Sequence, residues 1–503
     1  MLPSVVRRLY AVVAAFLLLT AHGHRSLGDR IPLRPYSSCR IIVDAGSSGT
    51  RFFVFPSPSV PTADNFAHLT PGLSEIAPLQ AYAYMRPALY EVQASLSPEM
   101  RARCFVHIYG TAGMRALDAS QQAELYNQLY LDLKNDATMT LPLERAHVRT
   151  ISGDEEAFFL AMAANFLDAR VESDLAPSNV DLFGALDLGG GSTQIVFDIK
   201  ERWRQNARRK AMPHQKTLNV SEFFVQSFAG YGAAHMHDQV LQAIAANASS
   251  DSVHSNATNA TASVELLTNP CYFTGYSGAN QTGTGHAAEC LRLLQSLVAQ
   301  ENANCPSGSF CALQSVPQPP VTGAFYAVSV YYLATVFARD VVSRMAPTLS
   351  YGWPAPSLEE MESATHLVCS MRFDELAALE LEHTPAEMLP RRCLDLCYVT
   401  TLLRAYGFGL AERRVVFVDR IRGSPLVWAT GAYLMDHALA STAYADALVS
   451  YLSRQVEVGL PVGWHVALLM LTMAVVALFF TVHRATGRHG STQAIEFVGD
   501  PRK

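Results

Sequence analysis

The sequence predicts an α/β fold of two related halves followed by one membrane-spanning helix, and three observations predict it. A strand, a glycine-rich turn and a second strand occur twice, at 39–55 and 183–197, with a constant offset of 143 residues between matching positions. Strand-like and helix-like segments alternate around both copies, as they do in α/β proteins. The stretch 459–482 holds no Asp, Glu, Lys or Arg, and its length suits a bilayer span.

The repeated turns predict a phosphate site. The first reads D-A-G-S-S-G-T from Asp44 to Thr50, and the second reads D-L-G-G-G-S-T from Asp187 to Thr193. Glycines in such a turn let backbone N–H groups converge on a phosphate, and the opening aspartate is placed to hold a divalent cation. Either turn alone is usually only a turn, whereas a matched pair predicts two loops that hold a di- or triphosphate from two sides.

Two more strand ends lie between the repeats. The run Phe105–Tyr109 leads into G-T-A-G-M-R, and the residues after it predict a helix over 120–133. The run 147–151 leads into S-G-D-E-E-A, and the apolar stretch 157–167 predicts a buried helix.

These strand ends carry candidate catalytic residues. Glu156, between a strand and a helix, is a reasonable base to orient and deprotonate water. A simpler interpretation is also open. The helix dipole alone favours carboxylates at a helix start, and Thr111 and Arg115 would then only cap and decorate a helix.

The chain after the second hairpin is polar from 198 to 269, and this stretch predicts an exposed loop. Helical character returns at 325–342 and 397–406, a strand is predicted at 415–418, and a final helix runs to about 453. Five Asn-x-Ser/Thr sequons cluster between 219 and 280, and they indicate that this region lies on the non-cytosolic side of a membrane. They are Asn219, Asn247, Asn256, Asn259 and Asn280.

Both ends of the chain predict membrane targeting. Residues 1–23 combine a basic pair with a short apolar run, which is typical of a signal peptide, with an uncleaved signal anchor as the alternative. Residues 460–482 are the predicted transmembrane helix, and 483–503 form a short cytosolic tail. This type I or two-span topology puts residues from about 24 to 455 on the lumenal or extracellular side, in the Golgi or at the plasma membrane.

Composition narrows the class of protein. Of 503 residues, half are hydrophobic and 16% are charged, which excludes a disordered chain, and a net charge of −6 gives no reason to expect nucleic-acid binding. Nine cysteines fit an oxidising compartment, although sequence does not fix their connectivity. The predicted pairs, which leave Cys393 unpaired, are Cys39–Cys104, Cys271–Cys290, Cys305–Cys311 and Cys369–Cys397.

Taken together, the motifs resemble those of one family. D-A-G-S-S-G-T-R, G-T-A-G-M-R, S-G-D-E-E-A, D-L-G-G-G-S-T-Q and W-A-T-G-A-Y-L resemble, in order and spacing, the five apyrase motifs of the ecto-nucleoside triphosphate diphosphohydrolases, from about 40 to 435. The resemblance implies two actin/Hsp70-like (RNase H-like) domains with the nucleotide in the cleft between them. The first lobe would comprise 38–152 and 419–455, and the second would comprise 153–418.

The resemblance also implies a Ca²⁺ or Mg²⁺ cofactor and roles for single residues. Glu156 would be the catalytic base, with Ser192 and Gln194 placing the water that it activates, and Tyr332 would stack on the nucleotide base. Gly49 stands where many relatives carry a larger residue, often His, which bears on selectivity between tri- and diphosphates. The metal's water shell would be held by Asp44, Asp187 and Thr111, and phosphate would be bound by Ser47, Ser48, Gly49, Gly189, Gly190, Gly191, Ser192 and Thr193.

The predicted function is cation-dependent hydrolysis of the terminal phosphates of nucleoside tri- and diphosphates. The predicted partners are the nucleotide and the membrane, and the C-terminal helix is compatible with a homo-oligomer. A cytosolic sugar kinase or exopolyphosphatase would share the two turns but lack the signal peptide and sequons. A non-catalytic nucleotide-binding surface receptor on the same fold would have lost Glu156 or a turn aspartate, and all three are present.

Overall fold

The computed structural model describes residues 39–57, 65–173, 175, 181–199, 223–254, 266–278 and 280–439. The described residues up to Ala438 belong to one compact unit. The predicted signal segment 1–23, the predicted span 460–482, the tail 483–503 and the lobe residues 440–455 lie outside the described part. Among the described residues, no helix is both long and apolar enough to cross a bilayer.

The first half is built on a five-stranded sheet whose central strand is buried on both faces. Its strands are β1 (Arg40–Ala45), β2 (Thr50–Phe55), β3 (Asn65–Leu69), β4 (Phe105–Gly110) and β5 (Leu143–Thr150), in the order β3-β2-β1-β4-β5. The hairpin β1–β2 and the pair β2–β3 are antiparallel, whereas β4 and β5 extend the sheet in parallel. The near-continuous apolar run of β1 fits a strand covered on both sides.

The second half repeats this topology strand for strand. Its sheet contains β6 (Gly184–Leu188), β7 (Ser192–Asp198), β8 (Phe223–Ala229), β9 (Phe325–Ser329) and β10 (Val415–Phe417), in the order β10-β9-β6-β7-β8. The hairpin β6–β7 and the pair β7–β8 are antiparallel, and β9 and β10 are parallel additions. The prediction of two related α/β halves is therefore confirmed, because the repeat covers whole sheets and not the hairpins alone.

Nine helices of eight or more residues cover the two sheets within the described part. They are α1 (Pro78–Ser95), α2 (Ala119–Asn135), α3 (Gly153–Leu167), α4 (Ala233–His254), α5 (Ala287–Gln300), α6 (Val330–Met345), α7 (Leu358–Ser370), α8 (Arg392–Ala405) and α9 (428–439). Shorter helices are Leu73–Glu75, Pro98–Arg101, Ala112–Arg115, Phe373–Ala377 and Leu389–Arg391, and short strands are Leu267–Asn269, Ser277–Gly278, Gln281–Gly283, Arg420–Ile421 and Ser424–Pro425.

Helix α3 begins four residues earlier than its apolar pattern predicts. Ser152 accepts a hydrogen bond from Glu155 N at 3.0 Å, and Ser152 N donates to the Glu155 side chain at 2.8 Å. This capping box satisfies two free donors at the helix start. The first helical turn therefore contains Glu156, which fixes the direction of its side chain.

Two predictions for the second half are wrong. The segment 325–342 is not one helix, because its first five residues form β9, parallel to β6, before α6 begins. A short apolar run fits a buried strand and a buried helix equally well, so periodicity could not separate them. The polar stretch 198–269 is not one loop either, since it contains β8 and α4.

The sequons fall on both described and undescribed residues. Asn247 is exposed on α4, and Asn280 is exposed with a φ of 60°. Asn219, Asn256 and Asn259 lie outside the described residues. Both described sites are accessible, as glycosylation requires.

Three of the four predicted disulfides are confirmed, namely Cys39–Cys104, Cys271–Cys290 and Cys305–Cys311. The fourth prediction, Cys369–Cys397, is wrong, because Cys369 pairs with Cys393 and Cys397 stays a buried free thiol. Cys393 and Cys397 lie one helical turn apart on α8, so both face Cys369 on α7. The sulfur atoms of the three cysteines lie within 4.8 Å of one another, a proximity that sequence spacing cannot resolve.

Helix α9 packs on the sheet of the first half. The ring of Tyr433 stacks on Phe55 with centroids 4.7 Å apart, and Asp436 lies 2.8 Å from Nδ1 of His107 on β4. This docking carries Trp428, the first residue of α9, to the end of the sheet where the glycine-rich turns lie.

Candidate active site

The two glycine-rich turns have the same local structure. Gly46 N donates to Gly49 O at 3.0 Å in the first turn, and Gly189 N donates to Ser192 O at 3.0 Å in the second. Gly189 and Ser192 lie 143 residues after Gly46 and Gly49, which is the offset found in the sequence. The sequence repeat therefore describes a repeated backbone conformation.

The two turns approach each other closely. A Cβ atom added at Gly190 would lie 3.0 Å from the Ser47 hydroxyl, and one added at Gly191 would lie 3.1 Å from the Cβ of Ala112. A Cβ at Gly113 would lie 2.9 Å from the Cα of Ser47, which is closer than real Cβ atoms come to backbone. The strand ends of the two halves thus meet at one place, and Gly113 is required for the close packing of Ser47 inside the first half.

Three buried carboxylates lie at this junction. Asp44 and Asp187 are the residues before the last in β1 and β6, and Glu156 is in the first turn of α3. Each of the three is 8% exposed. Burial raises the pKa of Glu156 to about 7; Arg115 opposes the rise, and Asp187 and Asp44 add to it. Burial likewise raises the pKa of Asp44 to about 6 and raises that of Asp187. A group that takes up and releases a proton near neutral pH suits acid–base chemistry.

The two turn aspartates fit a divalent cation. Within the described part of the chain, Oδ1 of Asp44 and Oδ1 of Asp187 are buried and have no hydrogen-bond partner. An unpaired buried carboxylate oxygen costs free energy, and a hard cation such as Ca²⁺ or Mg²⁺ binds oxygen ligands of this kind. The protein also hydrogen-bonds both carboxylates: the side chain of Trp428 bonds Asp44, and the side chain of Ser329 bonds Asp187.

Glu156 and its neighbour Glu155 have different surroundings. Arg115 Nη1 donates to Oε2 of Glu156 at 2.9 Å, and its Nη2 donates to the hydroxyl of Ser192 at 3.1 Å. Glu155 instead pairs with Arg149 at 2.9 Å and caps α3. Glu155 thus only stabilises the start of a helix, which was the simpler interpretation of both glutamates. Glu156 instead faces the junction of the two turns.

The second turn holds its polar side chains in a fixed network. Gln194 Nε2 donates to Ser192 Oγ at 2.8 Å and to Ser227 Oγ at 3.1 Å, and Ser227 N donates to Asp154 at 3.0 Å. The hydroxyl of Thr193 donates to the backbone carbonyl of Asp187 at 2.7 Å, so its proton serves the turn itself rather than a phosphate.

The remaining predicted site residues lie around this junction. Thr111 is buried, its N donates to Ala45 O at 3.1 Å, and its side chain forms no cap bond with the short helix after it. Ser47 is half-buried and Ser48 exposed in the first turn. Tyr332 lies three residues after Ser329, with its ring centroid 5.9 Å from that of Trp353 and 5.6 Å from that of His383.

The roles of two site residues were not predicted from the sequence. Arg115 is part of a motif for which helix decoration was an open alternative, yet it donates a hydrogen bond to the candidate base. Ser329, which touches Asp187, has a φ of 57°, a strained conformation for a residue other than glycine and one found at functional sites. Nothing in the sequence signalled it, because it lies inside a run predicted to be helical.

Comparisons with known proteins identify the family that this chain is similar to. The model of the GDA1/CD39 (nucleoside phosphatase) family matches residues 35–452. The chain is 27% identical over 432 residues to ectonucleoside triphosphate diphosphohydrolase 2 of Mus musculus, covering 78% of this chain and 81% of that protein. It is 25% identical over 438 residues to a guanosine-diphosphatase of Schizosaccharomyces pombe, covering 80% and 74%.

A solved structure shares the fold. The crystal structure of nucleoside triphosphate hydrolases from Neospora caninum superposes with a TM-score of 0.56 at 15% identity, covering 82% of this chain and 95% of that one. At this identity the likeness shows the architecture alone.

Proposed function

The chain belongs to the GDA1/CD39 (nucleoside phosphatase) family, and on this premise we propose that it hydrolyses terminal phosphates of nucleotides with a divalent cation and a water molecule activated by Glu156. The family and the names of the relatives indicate a phosphoanhydride hydrolase acting on nucleoside tri- and diphosphates. One observation carries the finer proposal. Glu156 is buried at the junction of two matched glycine-rich turns, with a pKa of about 7.

Glu156 acts as the general base. A carboxyl group with a pKa near 7 is about half ionised at neutral pH, and it is basic enough to accept a proton from an attacking water. Arg115 keeps Glu156 ionised and fixes its orientation through the 2.9 Å hydrogen bond. Without that cation, burial beside two aspartates would favour the protonated, inactive form.

Ser192 and Gln194 position the water. Both are buried, and Arg115 joins them to the base through its hydrogen bond to Ser192. Gln194 Nε2 donates to the hydroxyl of Ser192. This bond fixes the directions of the Ser192 hydroxyl proton and of the Gln194 amide oxygen. Little more is needed, because phosphoryl transfer depends mainly on positioning and charge neutralisation.

The phosphate chain lies between the turns. Backbone N–H groups from Gly49, Gly190 and Gly191, with the hydroxyls of Ser47 and Ser48, bind its oxygens. The N–H of Gly189 is used inside its own turn, so Gly189 contributes by allowing the close approach of the backbone. Asp44, Asp187 and Thr111 would hold Ca²⁺ or Mg²⁺ through its water shell. The cation, when bound, neutralises the charge of the phosphate oxygens.

The nucleotide base is placed against Tyr332. This residue lies in the first turn of α6, three residues after Ser329, so it lies close to the strand end that carries Asp187. Its half-buried ring, with Trp353 and His383 nearby, offers an aromatic surface for stacking.

The enzyme works on the lumenal or extracellular side of a membrane. Four disulfides among the described residues support an oxidising compartment, and the mouse and other relatives are named as ecto-enzymes. Anchorage through residues 460–482, glycosylation at the sequons and homo-oligomerisation belong to the same proposal. A surface receptor without catalysis is disfavoured by membership of a phosphatase family.

The test is phosphate release by the full-length chain purified in detergent. ATP, ADP, GDP and UDP are assayed with Ca²⁺, Mg²⁺ or EDTA, beside Glu156→Gln. We expect cation-dependent release that collapses in the variant. Release that persists in EDTA would contradict the cation, and a fully active Glu156→Gln would contradict the assigned base.

A further inference from the structure

A histidine from the edge of the first sheet lies over the first glycine-rich turn. Asp44, Arg51 and His68 are direct cross-strand partners on β1, β2 and β3. Side chains of directly paired residues project from the same face of a sheet. His68 therefore shares its face with Asp44, the aspartate that opens the turn.

The position of the imidazole is defined by Gly49. A Cβ atom added at Gly49 would overlap Nε2 of His68, and it would lie 2.8 Å from the carbonyl oxygen of Leu69. The imidazole thus occupies the space that a side chain at position 49 would fill. Gly49 is buried, whereas His68 is exposed and can meet a ligand.

The basic side chain of Arg51 lies on the strand next to this histidine. Arg51 Nη1 is 3.7 Å from Asp44 Oδ2 and would lie 3.5 Å from a Cβ added at Gly46. Two basic side chains therefore flank a turn whose backbone is suited to an anion. Partial burial, followed by the charge of Arg51, lowers the pKa of His68, and an anion beside the two side chains would oppose that shift.

We propose that His68 binds the phosphate chain of the nucleotide, donating from Nε2 beside the Gly49 end of the first turn, and so contributes to substrate affinity. This inference rests on the proposed function. The groups that meet Gly49, the His68 side chain and the Leu69 carbonyl, come from the first half, whereas Ser47 abuts the second turn. That turn carries Ser192, which Arg115 links to Glu156. His68 therefore contributes to binding and not to the activation of water, so its loss raises KM and leaves kcat nearly unchanged.

The experiment measures binding without turnover. Full-length Glu156→Gln is titrated with Mg²⁺–ADP by calorimetry, alone and combined with His68→Ala or His68→Gln. We expect Kd to rise about tenfold for His68→Ala, the size of one lost charge-assisted hydrogen bond. His68→Gln, which keeps a donor, should stay within about threefold of the parent. An unchanged Kd for His68→Ala, or equal losses for Ala and Gln, would overturn the inference.

A second pair of variants tests the position of the imidazole. Gly49→Ala should weaken ADP binding when His68 is present and cost less when it is combined with His68→Ala, because the overlap with the imidazole is removed while the 2.8 Å contact with the Leu69 carbonyl oxygen remains in both. Independent effects would show that the imidazole does not lie over the turn. Wild-type protein without hydrolysis would defeat the proposed function, whereas active wild type with unchanged affinity in His68→Ala would defeat this inference alone.

Discussion

The guanidinium of Arg115 lies 2.9 Å from the carboxylate of Glu156, and through its other terminal nitrogen it reaches Ser192 in the second half of the molecule. Arg115 follows β4 of the first half, and Glu156 begins α3, which packs on the second sheet. One ion pair thus links the base, the water-positioning residues and both halves. It also sets the protonation state of the base, since Arg115 is the main influence that lowers the pKa of Glu156.

Removing this cation should shift the pH dependence of the enzyme. Arg115→Gln is expected to raise the pKa of Glu156 further and lower kcat/KM at pH 7 by about tenfold or more, with the acidic limb moved to higher pH. The measurement is a pH–rate profile from pH 5 to 9. Arg149→Gln is the matched control, because Arg149 pairs with Glu155 and its loss should leave the limb in place. An unmoved limb in Arg115→Gln would separate Arg115 from the base.

The neighbouring glutamates should respond in opposite ways to the same substitution. Glu156→Gln is expected to lower kcat by about 10²–10⁴-fold while the fold is kept. Glu155→Gln should lose about 1 kcal/mol of stability, since it removes the charge of the 2.9 Å pair with Arg149 while its amide oxygen can still accept from Ser152 N, yet keep kcat within about threefold. Steady-state kinetics and thermal unfolding of both variants check this. The reverse assignment would follow if Glu155→Gln were the inactive one.

The buried carboxylates should make the metal-free protein less stable as pH rises. The pKa of Glu156 is about 7 in the folded protein against an ordinary 4.5, so the folded state holds its proton more tightly than the unfolded state. The stability from this group is complete below about pH 4.5 and is lost as pH rises through 7, up to about 3 kcal/mol. Urea unfolding in EDTA from pH 5 to 8 measures it.

A control and a rescue accompany that measurement. Glu156→Gln should flatten the dependence on pH, because the neutral amide carries no charge to bury. Ca²⁺ or Mg²⁺ should restore stability most at high pH, where Asp44 and Asp187 are ionised and able to bind it. Stability that rises with pH in EDTA would contradict the burial of these carboxylates.

Local patterns predicted four of the five strands of the first sheet, but not β3 or α1, and they picked out residues that the structure brings to one junction. The apolar runs of β1, β2 and β4 and the turn beginning at Asp44 are short-range signals. The matching turn at Asp187 made the prediction of a shared site stronger than either turn alone. The strand β9 could not be separated from α6, because both are apolar and continuous in sequence. Contacts such as that of Ser329 with Asp187 depend on strands brought together by the sheet, and no local pattern contains them.

The free thiol of Cys397 lies close to the disulfide between Cys369 and Cys393. Cys393 and Cys397 lie one turn apart on α8, and both sulfurs are within 4.8 Å of Cys369 and of each other. In Cys393→Ser we expect Cys369 to pair with Cys397, because the alternative thiol is already within reach and a small backbone movement suffices. Non-reducing peptide mapping by mass spectrometry should find Cys369–Cys393 in the wild type and Cys369–Cys397 in the variant. Cys397→Ser is the control, since it should keep the wild-type bond and lose no disulfide. Free thiols at both Cys369 and Cys397 in Cys393→Ser would show that the packing of α7 on α8 holds these side chains too firmly to exchange partners.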